Sequence, residues 1–250
     1  MDRSEIRNFL EDKAEQFNHL QFIQDDPIQI PHKFSKKEDI EVIGFIISTI
    51  AWGNRKSIIK NGYRLIELMN NEPHQFTINY SGELLDSDFV HRTFNAVDLD
   101  FFIRALQNIY SRYGGLEQAF PHQMDTKDQI MHFRSLFLES EHEKRSEKHI
   151  ANPASGSSAK RINMFLRWMI RKDQKGVDFG LWKKHDPAKL MIPLDVHTGK
   201  AARKLELMIR KQDDWKALEE LMENLRAFDP IDPCKYDFAL FGVSVNNELD

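Results

Sequence analysis

Residues 191–207 read MIPLDVHTGKAARKLEL, and no other stretch indicates as much about the fold. A short apolar approach containing a proline leads to Asp195, and apolar residues then recur at helical spacing. An aspartate at that point is a favoured helix N-cap, because its carboxylate accepts free N–H groups of the first turn. The pattern predicts a helix that begins at Asp195 or Thr198 and continues through Ile209.

Apolar residues recur at helical spacing along nearly the whole chain, and no stretch alternates convincingly as a strand would. Ser157 or Ser158 is expected to cap the helix that precedes an irregular stretch over 173–194. We therefore predict an all-α, two-lobed fold with a central cleft, formed by one unit over 1–250 with lobes at about 38–150 and 155–243 plus the N-terminal segment. The predicted helices are two within 38–70, separated at Trp52-Gly53-Asn54, and others over 98–111, 128–141, 159–171, 195–209, 214–228 and 233–243.

Composition excludes several classes of protein. Hydrophobic residues make up 41% of the 250 residues, which is enough for a core, but no apolar run approaches the roughly 20 residues that cross a bilayer. The first residues, MDRSEIRNFLEDK, are charged throughout, so no signal peptide is expected. Cys234 is the only cysteine, so an internal disulfide and a four-cysteine metal or iron–sulfur site are excluded. We expect a cytoplasmic protein.

Charge is distributed unevenly. Residues 143–172 contain eight basic and two acidic side chains, a net charge of +6, so the rest of the chain carries −10 against a total of −4. The total argues against a protein that coats nucleic acid, but not against one that binds it locally. By itself the basic stretch is equally consistent with a solvated helix face.

Lys160 is the candidate partner for Asp195. It lies in the first turn of the helix predicted over 159–171, directly after the small-residue stretch NPASGSS at 152–158. Most lysines near helix starts are simply solvated. A cation there meets the positive end of the helix dipole, however, and that environment favours the neutral amine that a nucleophile requires.

The stretch 191–207 resembles the segment of the helix-hairpin-helix DNA glycosylases in which Pro-Val-Asp leads into a helix. It is most similar to the archaeal 8-oxoguanine DNA glycosylase branch, whose lysine lies on a long helix before the aspartate. Lys160 and Asp195 are 35 residues apart, and SSAKRINMFLRWMIR at 157–171 is similar to that lysine helix. The whole chain also resembles a conserved bacterial family whose function is not established.

The resemblance implies a base-excision enzyme that acts on a flipped-out nucleotide. On that basis Lys160 is the nucleophile that attacks C1′ and forms a Schiff base, and Asp195 is the carboxylate that stabilises positive charge on the sugar. The implied substrate is double-stranded DNA with an oxidised purine such as 8-oxoguanine. Strand cleavage by an AP-lyase step would follow in a bifunctional enzyme. Which lesion is removed, and whether cleavage occurs, are not fixed by the sequence.

Both flanks extend the resemblance. DIEVIGFIISTIAWGNRKSII at 39–59 is similar to the family's N-terminal helix pair, which implies that Asn54 and Arg55 fill the gap left by the extruded base. DPIDPCKYDFALFG at 229–242 is similar to its final helix, which implies that Asp237 and Phe241 contact the base. Their i, i+4 spacing puts both on one side of a helix. A phenylalanine in such a segment is more often part of the core than a surface on which a base stacks.

Two family features are absent from the sequence. There is no Gly-Val-Gly-like hairpin, and the nearest substitute for binding a backbone phosphate is 152–161, with Ser157, Ser158 and Arg161. There is also no iron–sulfur loop, the histidines lack metal-ligand spacing, and no cofactor is expected.

His197 is expected to assist Asp195, to contact phosphate or to be structural.

Two classes of function therefore follow from the sequence. The first is a DNA glycosylase with a possible lyase step. The second is a non-catalytic helical protein that binds nucleic acid or another partner on the same scaffold. Neither requires a membrane, and neither gives evidence of an obligate protein partner.

Overall fold

A computed structural model describes residues 1–249, and its helices confirm the all-α class. One short antiparallel hairpin, β1 (Val90–His91) with β2 (Phe94–Asn95), was not predicted. The α-helices are α1 (Arg3–Phe17), α2 (Gln21–Asp25), α3 (Lys37–Ile50), α4 (Arg55–Leu68), α5 (Pro73–Ile78), α6 (Ala96–Tyr113), α7 (Leu116–Ala119), α8 (Thr126–Phe137), α9 (Lys160–Ile170), α10 (Val196–Lys204), α11 (Trp215–Phe228) and α12 (Tyr236–Val245). Short 3₁₀ helices lie at Pro27–Gln29, Pro31–Lys33, Glu83–Asp86, Lys144–His149, Pro153–Ser155, Pro187–Lys189 and Pro233–Lys235.

The chain divides into two compact units. One is formed by Gln24–Ala151, and the other by Met1–Ile23 together with the chain from Asn152 onward. The central cleft between two lobes stays a prediction. Within residues 1–249, no helix combines the length and the apolar character that crossing a membrane requires.

The unit 24–151 is built around phenylalanine rings from three helices. The ring of Phe45 on α3 lies 5.9 Å from that of Phe102 on α6 and 5.2 Å from that of Phe133 on α8. Phe137, one turn further along α8, lies 4.9 Å from Phe102. All four rings are buried, and aromatic pairs in such geometries stabilise beyond the apolar area they bury, by about 0.5–1.5 kcal/mol each.

In the other unit, α12 packs against both α1 and α10. Leu10 and Ala14 form the buried side of α1. The close approach depends on Gly242 in α12, where an added Cβ would lie 2.2 Å from the ring of Phe17. The final helix of the chain therefore contacts both the N-terminal helix and α10, the helix that Asp195 caps.

Two predictions at helix ends are wrong. Neither Ser157 nor Ser158 caps α9: the N-cap is Ala159, in the left-handed region at φ 52° and ψ 34°. The Ser157 hydroxyl instead accepts the N–H of Ala159 itself, at 3.2 Å. Helix α10 ends at Lys204, short of the predicted Ile209, because Glu206 adopts a left-handed φ of 57° and the chain leaves the helix axis there.

Candidate functional site

Lys160 and Asp195 lie together in the unit that contains both chain ends. Lys160 is the first residue of α9, and Asp195 is the N-cap of α10. The Lys160 Nζ is 3.2 Å from the Asp195 Oδ2, with the lysine side chain 36% and the aspartate side chain 16% exposed. The N-termini of two helices therefore converge on one half-exposed ion pair.

Asp195 uses its two carboxylate oxygens differently. Oδ1 accepts the N–H of Thr198 at 2.9 Å, which is the expected N-cap bond, and Oδ2 faces Lys160. The cap fixes the rotation of the carboxylate, because one oxygen is held by the backbone. The other oxygen is thereby aimed at the amine.

The backbone before Lys160 is held in an unfavourable conformation. Left-handed φ/ψ costs an L-residue about 1–2 kcal/mol, and Ala159 is buried in that state. The Asn163 side chain is fully buried and donates from Nδ2 to the Ser158 carbonyl at 2.9 Å. This hydrogen bond helps to hold the peptide between Ser158 and Ala159 in place. Residues kept in such conformations are often found at functional sites, where the surrounding contacts over-determine them.

The small-residue loop 152–158 rests on the start of α11. Ser157 forms an isolated antiparallel bridge with Asp214, and the Trp215 N–H donates to the Gly156 carbonyl at 3.0 Å. Ser157 is exposed and Ser158 half-buried. Arg161, also half-buried, follows in the first turn of α9; burial lowers its pKa to about 10, so it remains a cation at pH 7. The three residues predicted to contact phosphate thus lie within a few positions of Lys160.

Asp237 lies in the first turn of α12, buried and paired with Arg167 of α9. Burial raises the pKa of Asp237 to about 7; repulsion by Asp195 adds to that rise, and attraction by Arg167 opposes it. The Arg167 Nε also contacts Asp178 at 3.2 Å. The predicted base contact at Asp237 is thus tied to a buried arginine that the sequence analysis did not single out.

His197 and Phe241 also come together. The exposed imidazole of His197, in the first turn of α10, meets the half-buried ring of Phe241 edge to face, with centroids 5.8 Å apart. Both rings belong to the helices that carry Asp195 and Asp237. Four of the residues implied by the resemblance therefore lie on two helices that pack together.

Much of the positive charge in 143–172 is neutralised locally. Arg145 pairs with Asp98 at 3.0 Å, and Lys144 with Glu147 at 2.8 Å. Arg167 is paired with Asp178 and Asp237. Arg171 is buried among Asp173, Asp178 and Asp232. The stretch also spans the boundary between the two units, which lies between Ala151 and Asn152.

Asn54 and Arg55 belong to the unit 24–151. Asn54 caps α4, its Oδ1 accepting the Ser57 N–H at 3.2 Å, and Arg55 is the first residue of that helix; both are exposed. Just before them, the indole of Trp52 stacks 5.9 Å from the ring of His149. Their role in filling the gap of an extruded base stays a prediction.

Among the described residues, no group of three or more His, Cys, Asp or Glu side chains is arranged to hold a metal ion. One protein family, described as "Protein of unknown function (DUF2400)", has a model that matches residues 26–246. No curated protein matches the chain. No solved structure matches it.

Proposed function

We propose that this chain, which belongs to the DUF2400 family, is a DNA base-excision glycosylase in which Lys160 attacks the sugar and Asp195 assists. The observation that carries the proposal is the 3.2 Å contact between the Lys160 amine and the Asp195 carboxylate. Groups that act on one sugar carbon need to lie within hydrogen-bond reach of the same point, and these two do. Their convergence from helices 35 residues apart along the chain supports a shared site.

The reaction uses both groups in turn. When the site closes on DNA, Asp195 accepts a proton from the Lys160 ammonium, which leaves a neutral amine. That amine forms a bond to C1′ as the glycosidic bond breaks, and the base leaves with the electron pair and takes up the proton that Asp195 had accepted, which restores the Asp195 carboxylate. Positive charge that develops on the sugar is stabilised by the Asp195 carboxylate.

A lyase step follows from the same bond. Loss of a proton from nitrogen and opening of the sugar ring give a Schiff base between Lys160 and C1′. Removal of a proton from C2′ then breaks the C3′–O bond by β-elimination, and water releases the enzyme. We include this step in the proposal because the attacking amine is primary, and a primary amine can form the required imine.

The substrate in this proposal is double-stranded DNA with an oxidised purine such as 8-oxoguanine. Phe241, with His197 against its ring, supplies an aromatic surface for a flipped base, and Asp237 lies one turn away on α12. A DNA substrate and a single buried cysteine fit the cytoplasm, which we propose as the location.

A second candidate is a non-catalytic protein on the same scaffold. The observation that favours it is the ion pair itself, since Lys160 and Asp195 already satisfy each other and a surface pair can be purely structural. This candidate predicts DNA or protein binding without any covalent adduct.

Trapping with borohydride separates the two candidates. Wild-type protein is incubated with duplexes that carry 8-oxoguanine, an abasic site or no lesion, and the products are reduced. The glycosylase proposal predicts a covalent protein–DNA adduct with the first two duplexes and none with the third. Absence of an adduct with abasic DNA and across a panel of lesions would leave the non-catalytic candidate.

Asp195→Asn is expected to slow base release about 10²-fold, because the charge that stabilises the sugar cation is lost. Asparagine caps helices as well as aspartate does, so the free energy of unfolding should change by less than about 0.5 kcal/mol. Adduct formation with a preformed abasic site should persist at a reduced rate, since Lys160 is intact but the group that accepts its proton is lost. Single-turnover excision and urea unfolding measure the two effects.

The matched control is Asp2→Asn, which alters another N-cap aspartate of the same unit, on α1. It should change neither base release nor stability appreciably. Full excision activity in Asp195→Asn would remove the carboxylate from the mechanism.

A further inference from the structure

The segment 205–214, which we call the return loop, connects α10 to α11 and is held rigidly. Glu220 accepts the N–H groups of Ile209 at 2.6 Å and Arg210 at 3.3 Å. Arg203 donates to the carbonyl oxygens of Arg210 at 2.8 Å and Lys211 at 2.9 Å. Two side chains from the flanking helices therefore fix four backbone groups at the tip of the loop.

The return loop runs back along α10 towards the site. Asp213 lies so close to Gly199 that an added Cβ there would be 2.7 Å from its Oδ1. The loop then ends at Asp214, which bridges to Ser157, three residues before Lys160. The loop is thus continuous with the surface that carries the proposed nucleophile.

Ile209 stands out on this rigid segment because its side chain is 85% exposed. A single exposed isoleucine is ordinary on a protein surface. Here, however, a hydrogen bond to Glu220 holds the Ile209 backbone N–H in place. A segment whose backbone is already ordered loses less conformational entropy when a partner covers it.

The charged side chains near Ile209 indicate what kind of partner covers its exposed side chain. Residues 196–220, which include the Glu220 that contacts Ile209, carry six basic and five acidic side chains, a net charge of +1 in a chain whose total is −4. Two of these acids are paired, Asp213 with Arg203 and Asp214 with Arg210. Lys211, two residues after Ile209, is exposed and forms no ion pair within residues 1–249. An anionic partner is favoured.

We propose that the return loop is a second DNA contact, in which Lys211 neutralises a backbone phosphate and Ile209 packs against sugars and base edges of the duplex that flanks the flipped nucleotide. Apolar side chains that protrude into a groove favour a bent duplex, which presents more of its surface to the protein. The inference rests on the proposed function for the identity of the DNA. It adds a contact surface that lies outside the residues 152–161 already assigned to phosphate.

The salt dependence of DNA binding distinguishes the contribution of Lys211 from that of Ile209. Binding is measured by fluorescence anisotropy with a duplex that carries a tetrahydrofuran abasic analogue, over a range of salt concentrations. Lys211→Ala is expected to reduce the slope of log affinity against log salt by about 0.9, the value for one phosphate contact. Ile209→Ala is expected to weaken binding about tenfold without changing that slope, because the lost contact is apolar.

The controls are Ile231→Ala and Lys184→Ala. Ile231 is 77% exposed in the same unit, and Lys184 is exposed in the irregular stretch before α10. Both should bind within twofold of wild type. All four altered side chains are exposed, so thermal unfolding should be unchanged in every variant.

The outcomes distinguish this inference from the proposed function. If Ile209→Ala and Lys211→Ala bind like wild type while wild type still traps abasic DNA, the return loop is not a DNA contact and the glycosylase proposal stands. If both variants lose affinity as expected but wild type never forms an adduct, the loop contact stands and the catalytic proposal falls.

Discussion

Lys160→Gln is expected to abolish the borohydride-trapped adduct with abasic DNA, whereas Lys172→Gln should leave it at the wild-type level. Glutamine has no basic amine, so no Schiff base can form at position 160. Lys172 is an exposed lysine just beyond the other end of α9, and it controls for loss of a positive charge near that helix. The yield of reduced adduct on a denaturing gel, at matched DNA occupancy, is the measurement.

Folding should not obscure this result. The lysine side chain is 36% exposed, and a solvent-screened ion pair contributes at most about 1 kcal/mol, so Lys160→Gln should remain folded at 25 °C. Persistence of the adduct at the wild-type rate in Lys160→Gln would assign the chemistry to another amine.

The second large effect concerns Arg171, which we expect to be the most costly single side chain to truncate in its unit. The guanidinium is 2% exposed and lies 2.8 Å from Asp173, 3.0 Å from Asp178 and 2.9 Å from Asp232. Burial opposes its charge, but Asp178 and Asp232 outweigh that effect and raise its pKa. Arg171→Met should lower the free energy of unfolding by about 3–5 kcal/mol, because Asp173 and Asp232 lose their arginine and the buried Asp178 keeps only Arg167.

The matched control is Arg112→Met. Arg112 pairs with Glu139 at 2.8 Å, but its side chain is 58% exposed, so its removal should cost less than about 1 kcal/mol. Urea unfolding with an unchanged m-value is the measurement. A loss below 1 kcal/mol in Arg171→Met would show that the aspartates find other compensation.

Acid should partly rescue Arg171→Met. Burial already raises the pKa of Asp232 in the wild-type protein, although Arg171 opposes this. Without the arginine, folded-state carboxyl pKa values lie above those of the unfolded chain. Such groups favour the folded state at low pH, and that contribution is lost as pH rises through their folded pKa. The deficit should therefore be smaller at pH 4–5 than at pH 7.

The contact between Lys160 and Asp195 was the part of the site that the sequence could predict. Each member lies at a helix start, and local spacing together with a family resemblance singles out both. The Arg167–Asp237 and Arg171–Asp232 pairs were not predictable in this way. Their partners are 70 and 61 residues apart, and only the packing of α9 against the C-terminal segment brings them together.

Helix bodies were predicted better than helix ends. The break between α3 and α4, and the stop of α6 at Gly114, follow from glycine and from periodicity, and the structure confirms both. Ala159 and Glu206 could not be predicted as left-handed, because neither residue type favours that region. The capping box of Asp2 and Glu5 was readable, but α1 buries only Leu10 and Ala14 and gave too weak an apolar pattern.

Peptide mapping of the reduced adduct shows directly whether Lys160 is the amine that attacks the sugar. Wild-type protein is trapped on abasic DNA, digested with protease and nuclease, and analysed by mass spectrometry. Because Lys160 is the proposed nucleophile, we expect the added deoxyribose-derived mass to lie on Lys160. A modification at the N-terminal amine or at any other lysine, with Lys160 unmodified, would contradict it.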